Sequence, residues 1–397
     1  MKRIQKVCIL CGYSFPEGMA PTTRILAYSK GLKQNGVEVE VVSFERVQKL
    51  NDKRIDGVAK GISYHIPFCY NPKRFNNRFY RVLWANWRLR FSCIKELVRL
   101  NRNKKIDYVF FSFDDPLKLL FFGFFLRLHG IKTAFIGDEF PEPIRQLKSK
   151  VPRWMIIIYK LAYKFINVRI LMTNSLKSFY DKEICPKPTY ILSSVIDTSR
   201  FDTITKMVVS RPYLCYMGNM MLAKDNVDNI VCAFALIANE FDDLDLHLYG
   251  LPNEHDRVIV EELIKQYKLE HRVILKGKAS YDDVPQILGN ATILVTSQPL
   301  TIRAQGGFPT KMCEYMMAGK PALLTDVGEI NQYVKDGETV YMVEACNPQQ
   351  YAERMKYILT HYDAALDVAL RGKMLVVNTY GSEQATKGLV DFLSQQI

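Results

Sequence analysis

Residues 309–314, Pro-Thr-Lys-Met-Cys-Glu, set a lysine three residues ahead of a carboxylate. That spacing can serve a phosphate and a pair of hydroxyls at once. Two glycines and a Phe-Pro (Gly306, Gly307, Phe308, Pro309) lead into helical spacing at Met312, Tyr315 and Met316, and Gly319 and Pro321 end it. Proline is tolerated in a first turn. Thr310 and Lys311 are therefore expected to offer unspent backbone N–H groups at a helix N-terminus, an anion site to which Lys311 adds a full charge. One turn in, Glu314 is a carboxylate in an otherwise apolar helix, placed to take two hydroxyls of a ribose. A solvated glutamate beside a glycine-rich turn would look the same, and that reading stays open.

Two more groups could take part. Gly218-Asn219-Met220-Met221-Leu222-Ala223-Lys224 reads as a strand-to-helix turn, where Lys224 could meet a diphosphate as a point charge or lie exposed. Asp138, Glu139 and Glu142 follow a strand expected over residues 132–136. Ligands in open α/β sheets bind beyond the carboxyl ends of strands, so Asp138 and Glu139 are expected to orient a hydroxyl or act as its base. A loop of helix-capping acids is the alternative.

The elements that must position these groups alternate strand and helix from end to end. Strands are expected at residues 6–10, 37–44, 107–113, 132–136, 168–173, 213–217, 244–249, 272–275, 291–295 and 322–325. Helices fall between them, the first capped by Thr22 or Thr23, another by Asn174-Ser175. Residues 116–128 read as a packed helix. This rhythm implies parallel, Rossmann-like sheets. With no Gly-x-Gly-x-x-Gly, a nicotinamide-dinucleotide fingerprint is weak to absent. At 397 residues, 48% of them hydrophobic, the chain is long enough for two domains with real cores.

The stretch from Gly306 to Pro321 resembles the nucleotide-sugar motif of glycosyltransferase family 4, retaining enzymes of the GT-B fold. Glu314 fits that motif's second glutamate and Gly319 and Pro321 its Gly and Pro, while Gly306 stands where the first glutamate would be. Pro309, Lys311, Glu314 and Tyr315 resemble a branch used in bacterial surface-polysaccharide (capsule or O-antigen) assembly. The resemblance implies an α/β chain of two Rossmann-like domains whose parallel sheets face across a cleft. The first would be an acceptor-binding domain, 1–203, completed by a terminal helix at about 379–397; the second would bind nucleotide-sugar, 204–378. It implies catalytic roles for Lys224, Lys311, Asp138 and Glu139. Glu314, Thr310, Pro309, Gly307, Gly218, Asn219, Gly18 and Arg24 would bind substrate, Asn219 occupying the usual Arg position and Gly137 the usual His position. No metal or other cofactor is implied; the nucleotide-sugar, UDP ahead of GDP, is a substrate.

Charge is uneven. Residues 1–200 carry 36 Lys and Arg against 16 Asp and Glu, while the whole chain is +13. An anionic, extended partner of the first half is expected, a membrane surface or a lipid-linked acceptor, with nucleic acid the rival. No nucleic-acid motif accompanies the charge, so no such partner is expected. In residues 72–105, Phe79, Leu83, Trp87 and Phe91 recur each turn among Arg78, Arg81, Arg88 and Arg90. That is a core-facing helix with a solvated basic side, and also what an interfacial helix needs; residues 154–165 carry the same mixture. No apolar run reaches membrane-spanning length, and nine scattered cysteines suggest a reducing cytoplasm. A cytoplasmic enzyme at the inner face of a membrane follows, with a weakly catalytic nucleotide- or glycan-binding scaffold as the second possibility.

Overall fold

The computed structural model describes residues 3–18, 20–44, 54–69, 77–146, 148, 150–207 and 210–397. They form two compact units, residues 1–197 with 382–397, and residues 198–381.

The first unit is built on β1 (Lys6–Cys11), a wholly buried Lys-Val-Cys-Ile-Leu-Cys run of the kind that only a sheet covered on both faces can hold. After α1 (Ala20–Gln34) come β2 (Glu38–Ser43), β3 (Ile55–Ala59), β4 (Ile62–Ile66) and the long α2 (Arg78–Asn103). The unit continues through β5 (Tyr108–Ser112), α3 (Pro116–Leu128), β6 (Lys132–Gly137), α4 (Glu142–Arg145), α5 (Arg153–Tyr163), β7 (Val168–Leu171), α6 (Asn174–Glu183) and β8 (Thr189–Ile191). Eight strands make one sheet in the order β3-β4-β2-β1-β5-β6-β7-β8. All neighbours run parallel except the β3–β4 hairpin.

In the second unit a short 3₁₀ turn (Thr198–Phe201) precedes β9 (Tyr213–Met217), α7 (Leu222–Asp225), α8 (Val227–Ile237), β10 (Asp245–Tyr249), α9 (Glu254–Gln266) and β11 (Val273–Gly277). Then follow α10 (Val284–Gly289), β12 (Ile293–Val295), α11 (Ile302–Gly306), α12 (Thr310–Met317), β13 (Ala322–Asp326), β14 (Tyr341–Glu344), α13 (Pro348–Thr360) and α14 (Tyr362–Thr379). Its six strands are all parallel, ordered β11-β10-β9-β12-β13-β14. Leu214, Leu246, Ile293 and Leu323 fill the core beneath α8 and α13.

The chain then returns to the first unit with α15 (Ser382–Gln395), whose Leu389, Val390 and Leu393 join the core of Ile25, Leu32 and Val39. Gly31 allows this docking. A Cβ there would lie 2.0 Å from the Ser382 carbonyl oxygen, a backbone atom that cannot swing aside. Gly31→Ala is therefore expected to destabilise the first unit by about 1–3 kcal/mol, the usual cost of overpacking. Chemical denaturation checks this, and an unchanged midpoint would refute it.

Several helix starts differ from expectation. α1 begins at Ala20, so Thr22 lies inside its first turn and its Oγ1 donates to the Ser14 carbonyl at 2.6 Å. Thr173, not Asn174 or Ser175, caps α6, its Oγ1 accepting from Leu176 N. Pro309 sits just outside α12 and not in its first turn. Of the basic stretch, residues 72–76 lie outside the described residues, as do the side chains of Arg78 and Arg81. Among the described residues no helix is long and apolar enough to cross a membrane.

Candidate functional site

In the second unit the central parallel strands stop at one level, and the helices that follow them start there. β9 ends at Met217, and Gly218 turns the chain with its N–H on the Tyr249 carbonyl at 2.9 Å. A Cβ on Gly218 would stand 2.2 Å from Tyr216 Oη and 2.7 Å from Lys311 Nζ. A larger residue would displace the Tyr216 hydroxyl and the Lys311 ammonium. Asn219 spends its side-chain oxygen on Met221 N at 3.1 Å, fixing the loop. Lys224 is half-buried on α7, and Asn226 ends that helix in the left-handed region (φ 44°).

Lys311, in the first turn of α12, reaches back to this loop. Its ammonium meets Asp225 Oδ1 at 2.5 Å and lies 3.5 Å from Tyr216 Oη, over the Tyr216 ring at 4.7 Å. Asp225 is 2% exposed. Burial lowers the Lys311 pKa, Asp225 opposes that, and the charge of Lys224 nearby adds to it. Lys311 therefore enters the site as half of an ion pair, its charge already engaged by Asp225.

The rest of α12 is anchored from below. Tyr315 Oη accepts from Met217 N at 2.8 Å and lies 3.3 Å from the Val295 carbonyl, tying the helix to the ends of β9 and β12. On the open side, Glu314 Oε1 takes Arg200 Nη1 at 2.6 Å. Arg200 also donates to the Tyr281 carbonyl at 2.8 Å and stacks 3.8 Å over that ring. Glu314 thus has one oxygen held by a fixed guanidinium and a second that no described side chain takes up. Thr310 is exposed, Gly307 half-buried and extended (φ −89°), and Pro309 buried. Gly306 is buried at the end of α11. The α12 N-terminus, Lys311, Lys224 and the Gly218 turn come together here, with Glu314 one turn further on.

In the first unit, Asp138 and Glu139 follow β6. Arg24 of α1 places Nη2 3.2 Å from Asp138 Oδ1, 3.3 Å from the Leu192 carbonyl and 3.3 Å from Tyr28 Oη. Its Nε and Nη1 are buried with no hydrogen-bond partner among the described residues. Asp138 Oδ1, the atom that faces Arg24, is sealed from solvent, although its side chain keeps 34% of its surface open. Burial raises the Asp138 pKa, and Arg24 works against that. At Gly137 a Cβ would lie 2.6 Å from Leu171 Cδ2 and 2.8 Å from Phe135 Cε1, so a larger residue requires both side chains to shift. Gly18, exposed, turns the chain over Thr22.

Sequence reasoning missed four contributors. Arg145 bonds Asp114 Oδ2 at 2.6 Å and lies 3.8 Å from Glu139 Oε2, so Asp114 belongs to the Asp138 group. Burial raises the Asp114 pKa too, against Arg145. In the second unit the missed residues are Asp225 and Arg200. The only sequence sign of Asp225 is its place beside Lys224 before an asparagine that can go left-handed; Arg200 gives none. Among the described residues no group of three or more His, Cys, Asp or Glu is placed to hold a metal ion.

Residues 200–373 match the family described as Glycosyl transferases group 1. A stretch of 175 residues is 26% identical to N-acetyl-alpha-D-glucosaminyl L-malate synthase of Bacillus anthracis, covering 44% of this chain and 43% of that protein. The chain thus spans less than half of the curated relative it matches. Over nearly its whole length it is similar to a glycosyltransferase from Rickettsia africae (TM-score 0.70, 13% identity, 99% of this chain and 98% of the other). It is also similar to Anabaena HepE, solved with UDP-glucose (TM-score 0.71, 13% identity, 98% and 99%), and to sucrose-phosphate synthase from Thermosynechococcus elongatus (TM-score 0.71, 14% identity, 98% of each). These likenesses give the fold. It is GT-B, two Rossmann-like parallel-sheet domains.

Proposed function

We propose that this chain is a glycosyltransferase that moves a sugar from a nucleotide-sugar, a UDP-sugar ahead of a GDP-sugar, to a hydroxyl of a lipid-linked or glycan acceptor in cell-surface polysaccharide synthesis. The grouping at the head of α12 carries the reading. Breaking an anomeric C–O bond builds negative charge on the departing diphosphate. The α12 N-terminal amides, Lys311 and Lys224 are preorganised donors for that charge, and a carboxylate with an oxygen to spare stands one turn away for the ribose. Asp138 and Glu139, beyond the carboxyl end of β6, would orient the acceptor hydroxyl. Family 4 resemblance adds retention of configuration, the acceptor attacking on the face that the nucleotide leaves.

A second reading, a weakly catalytic scaffold, is favoured by one observation. Asn219, at the usual arginine position, is spent on its own loop and brings no charge to the leaving group.

Calorimetric titration of UDP, GDP and their sugar conjugates into the wild type and Glu314→Ala tests the proposal. One nucleotide should bind the wild type. Because hydrogen bonds to a charged group are worth about 1.5–3 kcal/mol each, losing two should weaken binding at least about a hundredfold. No binding to the wild type at millimolar concentration would overturn the transferase reading, and unchanged binding to the variant would remove Glu314 from the ribose.

A further inference from the structure

The outer face of α2, α3 and α5 in the first unit is apolar and cationic together. Trp87 and Phe91 of α2, Phe124 and Leu128 of α3, and Trp154 and Ile157 of α5 are each between 44% and 66% exposed. They are not scattered. Phe91 packs on Phe125 at 5.4 Å, Phe125 on Phe124 at 5.4 Å, and Phe124 on Phe165 at 5.8 Å, so aromatic rings run unbroken from α2 across α3 to the end of α5. On α2 the exposed residues recur every four positions from Phe79 to Phe91, a stripe of about 18 Å. Contiguous exposed apolar patches rimmed by polar residues mark interaction sites.

Charge decides what fits it. Arg88 lies over the Trp84 ring at 4.7 Å, and Arg90 lies 5.8 Å from the centres of both Trp87 and Phe121. Arg153, Lys160 and Lys164 are exposed along α5. Glu96 is the single carboxylate within the three helical segments, and it is buried at 3% exposure between Arg54 and Arg99. Asp115, just before α3, is spent capping Leu117 N and pairing with Lys118. A protein partner would need acids matched one by one to these cations. A bilayer with anionic headgroups meets them collectively, while indole and phenyl rings settle at headgroup depth and Lys and Arg reach outward.

We infer that the α2–α3–α5 face is a docking surface for the anionic phospholipid surface of a membrane, with α3 at its centre. This does not rest on the transferase reading.

Co-sedimentation of the full chain with phosphatidylglycerol/phosphatidylcholine vesicles, against phosphatidylcholine alone, tests it. The protein should pellet with the anionic vesicles and come off as salt rises. Phe124→Ser/Trp154→Ser/Ile157→Ser removes apolar side chains that are already exposed, and Lys160→Glu/Lys164→Glu changes charge alone. Each should lower partitioning about tenfold or more while circular dichroism is unchanged. Failure to pellet with anionic vesicles at low salt would overturn the inference, as would variants that pellet like the wild type. So would a lipid-independent dimer in sedimentation velocity that the apolar variant dissolves, since a second copy would then be the occupant. Nucleotide titration of the same preparations keeps the proposals separate, because vesicle binding without nucleotide binding refutes the transferase alone.

Discussion

Lys311→Ala is expected to lower the rate of sugar transfer about 10²–10³-fold, the scale seen when one preorganised donor to a developing charge is removed. The variant should also lose stability, because Asp225, 2% exposed, is left buried without its counter-ion; breaking such a pair costs about 3–5 kcal/mol. Asp225→Asn separates the two effects. Its amide still fills the space, but the ammonium loses the carboxylate that now opposes its desolvation. The Lys311 pKa, already below 10.5, should fall further, so the alkaline limb of kcat/KM should move toward neutrality. The stability sign follows. A lysine with a depressed folded pKa binds fewer protons than the unfolded chain between its two pKa values. Stability is then fully present above 10.5 and declines as pH falls through the folded pKa, over a wider window in Asp225→Asn. Rate profiles and urea midpoints from neutrality to about pH 10 check both halves. A Lys311→Ala enzyme at full rate would leave Lys311 as no more than the counter-ion of Asp225.

Asp138→Asn is expected to lower kcat about 10²–10⁴-fold, the range for a positioned proton acceptor, with nucleotide affinity unchanged. Nucleotide affinity is spared because Lys224, Lys311 and Glu314 belong to the second unit while Asp138 belongs to the first. Burial holds the Asp138 carboxyl above the ordinary carboxylate range, with Arg24 in opposition. Transfer that uses the carboxylate should therefore fade on the acid side at a higher pH than an exposed aspartate would give. The asparagine variant should lack that limb. Its stability dependence runs oppositely to that of Lys311. A carboxyl with a raised folded pKa favours the fold below its unfolded value, and that contribution is lost as pH rises through the folded value. A wild-type acid limb in Asp138→Asn would assign the limb to another group, with Asp114 the first to examine.

Ten strands were legible because each is a short apolar run between turn signals, and α12 because its helical spacing is framed by glycine and proline; the short parallel strands β8 and β14 were not expected. The β3–β4 hairpin was passed over. Its strands carry Asp56, Ser63 and His65 among the apolar residues, and its two-residue turn, Lys60-Gly61, puts a lysine at positive φ where the usual signal is Asn or Asp before Gly. α3 lies at the bounds expected, with Leu119, Phe122 and Leu126 buried, but its outer face was not legible. A segment such as Leu-Leu-Phe-Phe-Gly-Phe-Phe-Leu is apolar all round, so its pattern names no buried face, and Phe124 and Leu128 emerged outside a helix expected to be packed. Long-range pairs left no trace. Lys311 stands 86 residues from Asp225, and Glu314 stands 114 from Arg200. Residue types suggested anion binding, but only the fold could say which charge was already engaged.

The discontinuity of the first unit has a bearing on how the molecule comes into being. During synthesis the strands of its sheet emerge early, yet the groove that α15 fills over Ile25 and Leu32 stays open until Leu389, Val390 and Leu393 have been made. The second unit is continuous and has all of its parts in hand by Gly381. The core of the first unit therefore cannot be complete until α15 has been made, and until then the apolar surface over Ile25 and Leu32 is uncovered.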